Sequence, residues 1–112
     1  MPPRDWRLRV DDILDAITRI ETYVTGLSFE QFQADQKTVD AVVRNLEVIG
    51  EAVRHLTTER ADLPADIPWA DIAGMRSVLI HGYFGVDLSI IWHTVTHDLP
   101  PLKRGLHRLR SA

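Results

Sequence analysis

The chain has 112 residues, 45% of them hydrophobic, and a formal net charge of −3. That length and apolar content suit a single domain over residues 1–112, with one core that buries roughly two-thirds of the unfolded surface. The mildly acidic balance excludes strong indiscriminate attraction to nucleic acid. The absence of cysteine excludes disulfides and thiol chemistry and removes the ligands zinc most often uses. Met1-Pro2-Pro3-Arg4-Asp5 lacks the apolar core of a signal peptide, and no run approaches the ~20 apolar residues of a membrane span. The expectation is a soluble, cytoplasmic protein with no membrane partner.

Trp6, Val10, Ile13, Ile17, Ile20 and Val24 recur at three- and four-residue spacing, which predicts one long helix over about residues 5 to 25, with Gly26 as its stop. Ser28-Phe29-Glu30-Gln31 has the form of a capping box and predicts a short helix or turn. A second long helix is expected over about residues 35 to 57, turning Val39, Val42, Val43, Leu46, Ile49, Val53 and Leu56 inward. Arg44, Asn45, Glu47, Glu51, Arg54 and His55 occupy its other faces and read as a solvated surface with local ion pairs. Residues 58 to 68, polar and interrupted by Pro64 and Pro68, make the longest loop.

Trp69-Ala70-Asp71 opens a third helix, expected to end near Tyr83 or Phe84, with Ile72, Met75 and Leu79 as its buried stripe. Gly85-Val86-Asp87 is a tight connection in which Asp87 caps a fourth helix. Leu88, Ile91, Trp92, Val95 and Leu99 face that helix inward. Pro100 and Pro101 bend or restart the chain, because proline is tolerated in a first helical turn and not in a helix interior. Leu102, Leu106 and Leu109 continue a last amphipathic helix, whose outer side carries Lys103, Arg104, Arg108 and Arg110. No strand pattern and no internal repeat appears. The fold class is all-α, an antiparallel bundle of four to five helices.

Gly50 and Gly74 lie inside helices, where glycine costs about 1 kcal/mol, and close helix packing is the expected reason. His93 and His97, at i and i+4, share a helical face and suit two metal ligands, but a site needs three or four. Only Asp98 is near, so no metal site is assigned. The basic last helix suits an RNA backbone, and equally the ordinary pairing of cations with a helix C-terminus.

The stretch with the most chemistry is the third helix. At ~100° per residue, Arg76 and Tyr83 point nearly the same way, and His81 falls about 140° round from Arg76. Ser77 and Ile80 lie between them. The arc outside the buried stripe thus holds a permanent cation, a hydroxyl, an imidazole and an apolar residue, which suits a site beside an interface. Arg offers a planar fork of donors to phosphate oxygens. Histidine ionises near the pH at which proton transfer is wanted. A cation that steadies a phosphate beside a base that deprotonates a hydroxyl is the minimum for cleaving RNA through its own 2′-OH, with no metal. Most Arg and His pairs on helices are surface residues or salt-bridge partners, so spacing alone does not decide between these readings.

Gly74-Met75-Arg76-Ser77-Val78-Leu79-Ile80-His81-Gly82-Tyr83-Phe84-Gly85-Val86-Asp87 resembles the signature of the HepT-like family, a branch of the HEPN superfamily. Arg44-Asn45-Leu46-Glu47-Val48-Ile49-Gly50-Glu51-Ala52 resembles that family's second-helix motif. Ile67-Pro68-Trp69 and Asp98-Leu99-Pro100 resemble its flanks. The resemblance implies a HEPN-like bundle that forms a homodimer, with an Arg-x-x-x-x-His-x-Tyr motif from each subunit near the interface, a place the exposed Ile80 suits. It further implies a metal-independent ribonuclease toxin of a type II toxin–antitoxin system, acting on RNA without a cofactor. The antitoxin would be an MNT-type nucleotidyltransferase that transfers AMP to the motif tyrosine.

Carried over by position, Arg76 holds the scissile phosphate, His81 is the general base, and Tyr83 is the modified residue. Glu51 is a supporting acid that orients Arg76. Ser77 stands where members commonly have Asn or another strongly polar residue, and its hydroxyl has a shorter reach. Two function classes follow. One is the ribonuclease toxin. The other is a non-catalytic binding module that complexes with the nucleotidyltransferase and is modified by it. Arg76 and His81 favour the first; Ser77 and the acidic balance favour the second.

Overall fold

Asp5 starts the first helix, its carboxylate accepting from the Arg7 backbone N–H at 2.9 Å and so satisfying one of the orphan donors of a helix N-terminus. The computed structural model describes residues 5–81 and 87–111, residues 76–81 by their backbone alone. Helix α1 is Trp6–Val24. Val10, Ile13, Ile17 and Ile20 are each no more than 1% exposed, the stripe their spacing predicts. Beyond Thr25 the chain turns at Gly26, whose φ of 78° is costly for any residue with a Cβ.

Helix α2 is Phe29–Ala34, and its start is the expected capping box: Gln31 N–H donates to the Ser28 hydroxyl at 3.2 Å, and the Ser28 N–H donates to Gln31 Oε1 at 2.8 Å. Asp35 then serves two helices. Its N–H donates to the Phe32 carbonyl, closing α2, while its carboxylate accepts from the Thr38 N–H and hydroxyl to open α3, Gln36–Glu59. The two Thr38 bonds hold the Asp35 carboxyl below its ordinary pKa.

Helices α1 and α3 make the largest helix–helix contact and run antiparallel, as the Arg9–Glu59 pair at 3.3 Å between the start of one and the end of the other requires. Trp6 is held at that end between the guanidinium groups of Arg7 and Arg60, at 4.7 and 4.2 Å from the ring. Fully burying each large aliphatic side chain of α1 and α3 contributes about 1.5–3 kcal/mol.

Helix α4, Trp69–His81, is led in by Ile67, which is 4% exposed, and Pro68, whose carbonyl accepts from the Ile72 N–H. The Trp69 indole N–H donates to the Pro64 carbonyl at 2.7 Å and fixes the end of the loop. The α4 backbone packs along α3. Ile72 is buried, as expected, and Met75 only half-buried, while the Leu79 side chain and the expected helix end near Tyr83 or Phe84 lie outside what is described.

Asp87 caps α5, Leu88–His93, by accepting from the N–H and the hydroxyl of Ser89. Trp92 on α5 packs against Phe32 and Phe29 of α2, with ring centroids 5.1 and 6.2 Å apart. The chain restarts its α-helix around Pro100 and Pro101, both in a first helical turn as expected. It widens into a π-helical turn, Thr94–Asp98, and continues as α6, Leu99–Ser111, with both prolines in the first turn of α6. Prolines lack the N–H that would reach back to residues 96 and 97, and their rings need room there. The wide turn, closed by the Leu99 N–H donating to the Thr94 carbonyl, provides it.

Glycine placement departs from expectation at one position. Gly50 is buried, but Gly74 is exposed, and a Cβ built on it would meet nothing within 4 Å among the described residues. Close packing belongs instead to Gly105 of α6, which lies against Ile67. The buried residues of α1 to α6 form one cluster, an all-α bundle with no strand among the described residues. No described helix is long and apolar enough to cross a membrane.

Candidate functional site

Arg76, Ser77 and His81 all lie on α4, whose backbone is helical from Trp69 to His81. The five-residue step from Arg76 to His81 is therefore about 7.5 Å along the axis and about 140° round it. Their side chains, that of Ile80, and Tyr83 lie outside the described residues.

Of the candidate residues, the one whose side chain is described is Glu51 on α3. Glu51 Oε1 accepts from Arg54 Nη2 at 2.7 Å and from His55 Nε2 at 3.1 Å, and Glu51 Oε2 is buried. The carboxylate has no proton to give, so His55 bonds it through the tautomer that carries hydrogen on Nε2. The Glu51 hydrogen bond, and then its charge, raise the Arg54 pKa above the ordinary value. The sequence pattern assigns Glu51 a supporting place but leaves His55 among outward polar residues. Its signal was the i,i+4 spacing from Glu51, which puts the two side chains on one face.

Other candidates resolve differently. His93 and His97 stack, with ring centroids 4.3 Å apart and planes 12° from parallel, and His97 Nδ1 meets Thr96 Oγ1 at 2.9 Å. Imidazole lone pairs lie in the ring plane, so two parallel rings do not converge on one ion. No group of three metal-ligating side chains occurs among the described residues. On α6, Lys103 pairs with Glu21, Arg108 with Asp66 and Arg110 with Asp11, at 2.9, 3.2 and 3.1 Å. Three of the four cations expected on that face thus pair with carboxylates of α1 and of the loop before α4, while staying partly exposed. A shallow groove lined by Asp12, Asp15, Ala16, Arg19, Asn45 and Val48 takes residues from α1 and α3 and none from α4.

Residues 13–109 match the family described as ribonuclease HepT-like. The chain belongs to the HepT-like family. A probable ribonuclease HepT of Thermococcus cleftensis is 45% identical over 102 residues, covering 91% of this chain and 93% of the relative. A candidate RNase of Caldanaerobacter subterraneus subsp. tengcongensis is 48% identical over 81 residues, 72% of each chain. A candidate RNase of Methanocaldococcus jannaschii is 40% identical over 100 residues, 89% of this chain and 83% of that one. No solved structure gives a significant match. The HepT-like match takes in Glu51, His55, Arg76, Ser77, His81 and Tyr83, so α3 and α4 both fall within the shared region.

Proposed function

We propose that this chain is a metal-independent endoribonuclease, the toxin of a type II toxin–antitoxin pair, working as a cytoplasmic homodimer. The observation that carries this reading is membership of the HepT-like family combined with Arg76 and His81 on one helix. His81 takes the proton from a ribose 2′-OH; the oxygen attacks the adjacent phosphorus, the 5′-oxygen leaves, and a 2′,3′-cyclic phosphate remains. Arg76 holds the phosphate and offsets charge that builds in the transition state. His81 of the second subunit is the acid that protonates the leaving oxygen. Ser77 and Glu51 support the pair.

Control comes from an MNT-type nucleotidyltransferase antitoxin. The Tyr83 phenol oxygen attacks the α-phosphorus of ATP, pyrophosphate leaves and the phenol proton is lost. The new phosphodiester adds bulk and negative charge beside Arg76, which obstructs an incoming RNA phosphate.

The test is cleavage of a labelled RNA pool in excess EDTA, with protein made in cells lacking the nucleotidyltransferase. Cyclic phosphate ends from the wild type, lost in His81→Ala, are expected. Equal silence from both proteins, folded and dimeric, would overturn the ribonuclease reading. Ser77 and the net charge of −3 then favour the second reading, a binding module modified at Tyr83 without cleavage of its own.

A further inference from the structure

The cluster on α3 contains one residue to which neither the motif nor the second-helix block assigns a place. His55 lies beyond the stretch 44–52 that resembles the second-helix block, yet it bonds Glu51 directly. Glu51 is eight residues before the last residue of α3, and Arg76 is seven after the first residue of α4. At ~1.5 Å per residue these are ~12 and ~10.5 Å along each helix from the segment that joins them, and α4 packs along α3.

The two donors to Glu51 Oε1 are not equivalent. The Arg54 side chain is 56% exposed and long, with several rotatable bonds, whereas His55 is 38% exposed and has two. A rigid ring bonded at 3.1 Å restricts where the carboxylate can swing more than a solvated guanidinium does. With Oε1 held from the α3 side and Oε2 buried, the carboxylate has a defined direction.

We propose that His55 is a positioning residue: by fixing the Glu51 carboxylate, it sets the acid that orients Arg76 for the RNA phosphate. This rests on the ribonuclease reading above. The effect lies on the chemical step and not on substrate affinity, because a guanidinium that is misaligned still attracts a phosphate but stabilises the transition state less well.

The experiment compares kcat and KM for RNA cleavage in wild type, His55→Ala, His55→Leu, His55→Gln, Glu51→Ala and the Glu51→Ala/His55→Ala double variant, each checked for helical content and dimer mass. Loss of the donor in His55→Ala or His55→Leu should lower kcat about tenfold with KM within about twofold, since small misplacements of catalytic groups have effects of this order or larger. His55→Gln, which keeps an N–H donor, should recover most of the rate. With Glu51 already replaced, removing His55 should cost nothing more. Undiminished kcat in folded His55→Leu, or an equal loss in the Glu51→Ala background, would overturn the proposal while leaving the ribonuclease reading intact. A silent wild type would overturn both, so the two failures are distinguishable.

Discussion

Gly105 of α6 lies so close to Ile67, the residue that leads into α4, that no methyl group fits between them. A Cβ at position 105 would collide with Ile67 Cδ1 and reach Ile67 Cγ1 at 3.1 Å. This contact ties the helix that carries Arg76 and His81 to the C-terminal helix. Gly105→Ala gains up to about 1 kcal/mol of helix propensity but must displace Ile67, and overpacking costs about 1–3 kcal/mol. The expected result is a net loss of up to about 2 kcal/mol, read as a lower urea midpoint at unchanged slope.

Gly74 is the opposite case. Among the described residues nothing lies within 4 Å of a Cβ built there, so Gly74→Ala should raise stability by about 0.5–1 kcal/mol. Thermal unfolding with a measured dimer mass checks it. A fall in the midpoint would mean that something outside the single chain packs on that face, and a second copy is the first candidate.

The Asp35 and Asp87 caps predict a pH dependence. Bonds from the Thr38 hydroxyl and N–H lower the Asp35 pKa, and bonds from the Ser89 hydroxyl and N–H lower that of Asp87. A carboxylate with a depressed folded-state pKa binds fewer protons folded than unfolded in the window between the two values, so stability rises with pH there. The contribution is full above the ordinary value of 3.8 and is lost as pH falls through the depressed one. Asp35→Asn, which still caps but does not ionise, should flatten the urea midpoint against pH below that value.

Local signals made most of the fold legible in the sequence. The Ser28 and Gln31 capping box, the stripe from Val10 to Ile20 and the Asp87 cap each involve residues a few positions apart, and each is present as expected. What could not be read involves partners far apart in sequence. Nothing local marks Gly105 as the neighbour of Ile67, or Lys103, Arg108 and Arg110 as partners of Glu21, Asp66 and Asp11. Pro100 and Pro101 were ambiguous for another reason: a bend and a restart both relieve the same missing N–H groups. Of the site, Arg76, Ser77 and His81 are on one helix as their spacing requires. His55 carried only a weak signal, its i,i+4 spacing from Glu51, and the structure shows the bond between them.

The ion pairs of α6 predict a modest effect on stability and none on RNA. Each is partly solvated and contributes about 0–1 kcal/mol, less at high salt. Replacing Lys103, Arg108 and Arg110 together with Gln should lower the unfolding midpoint, and the difference from wild type should shrink in 1 M salt, where the Debye length is about 3 Å. The KM for RNA should stay within about twofold, because these cations already have carboxylate partners in the folded chain. A large rise in KM would return α6 to the RNA-binding surface.

Ser77 allows the active-site reading to be tested by gain and not only by loss. His81→Ala should lower kcat by about 10²–10⁴, the range for a general base, and Arg76→Ala by about 10²–10³, the range for removing a group that stabilises transition-state charge. Both losses are also what a damaged fold would give. Ser77→Asn differs in kind. It restores the residue type common in the HepT-like family directly after Arg76, with an amide that reaches further than a hydroxyl and offers both donors and an acceptor. If the short reach of serine limits the rate, Ser77→Asn should raise kcat several-fold with KM little changed, measured on the same RNA in EDTA. The gain should vanish in the Ser77→Asn/His81→Ala double variant, because a polar group beside Arg76 has no proton-transfer step to assist once the base is gone. An unchanged or lower kcat in Ser77→Asn would show that serine already serves at this position, and the rate would then have to be sought in the order of Arg76 itself.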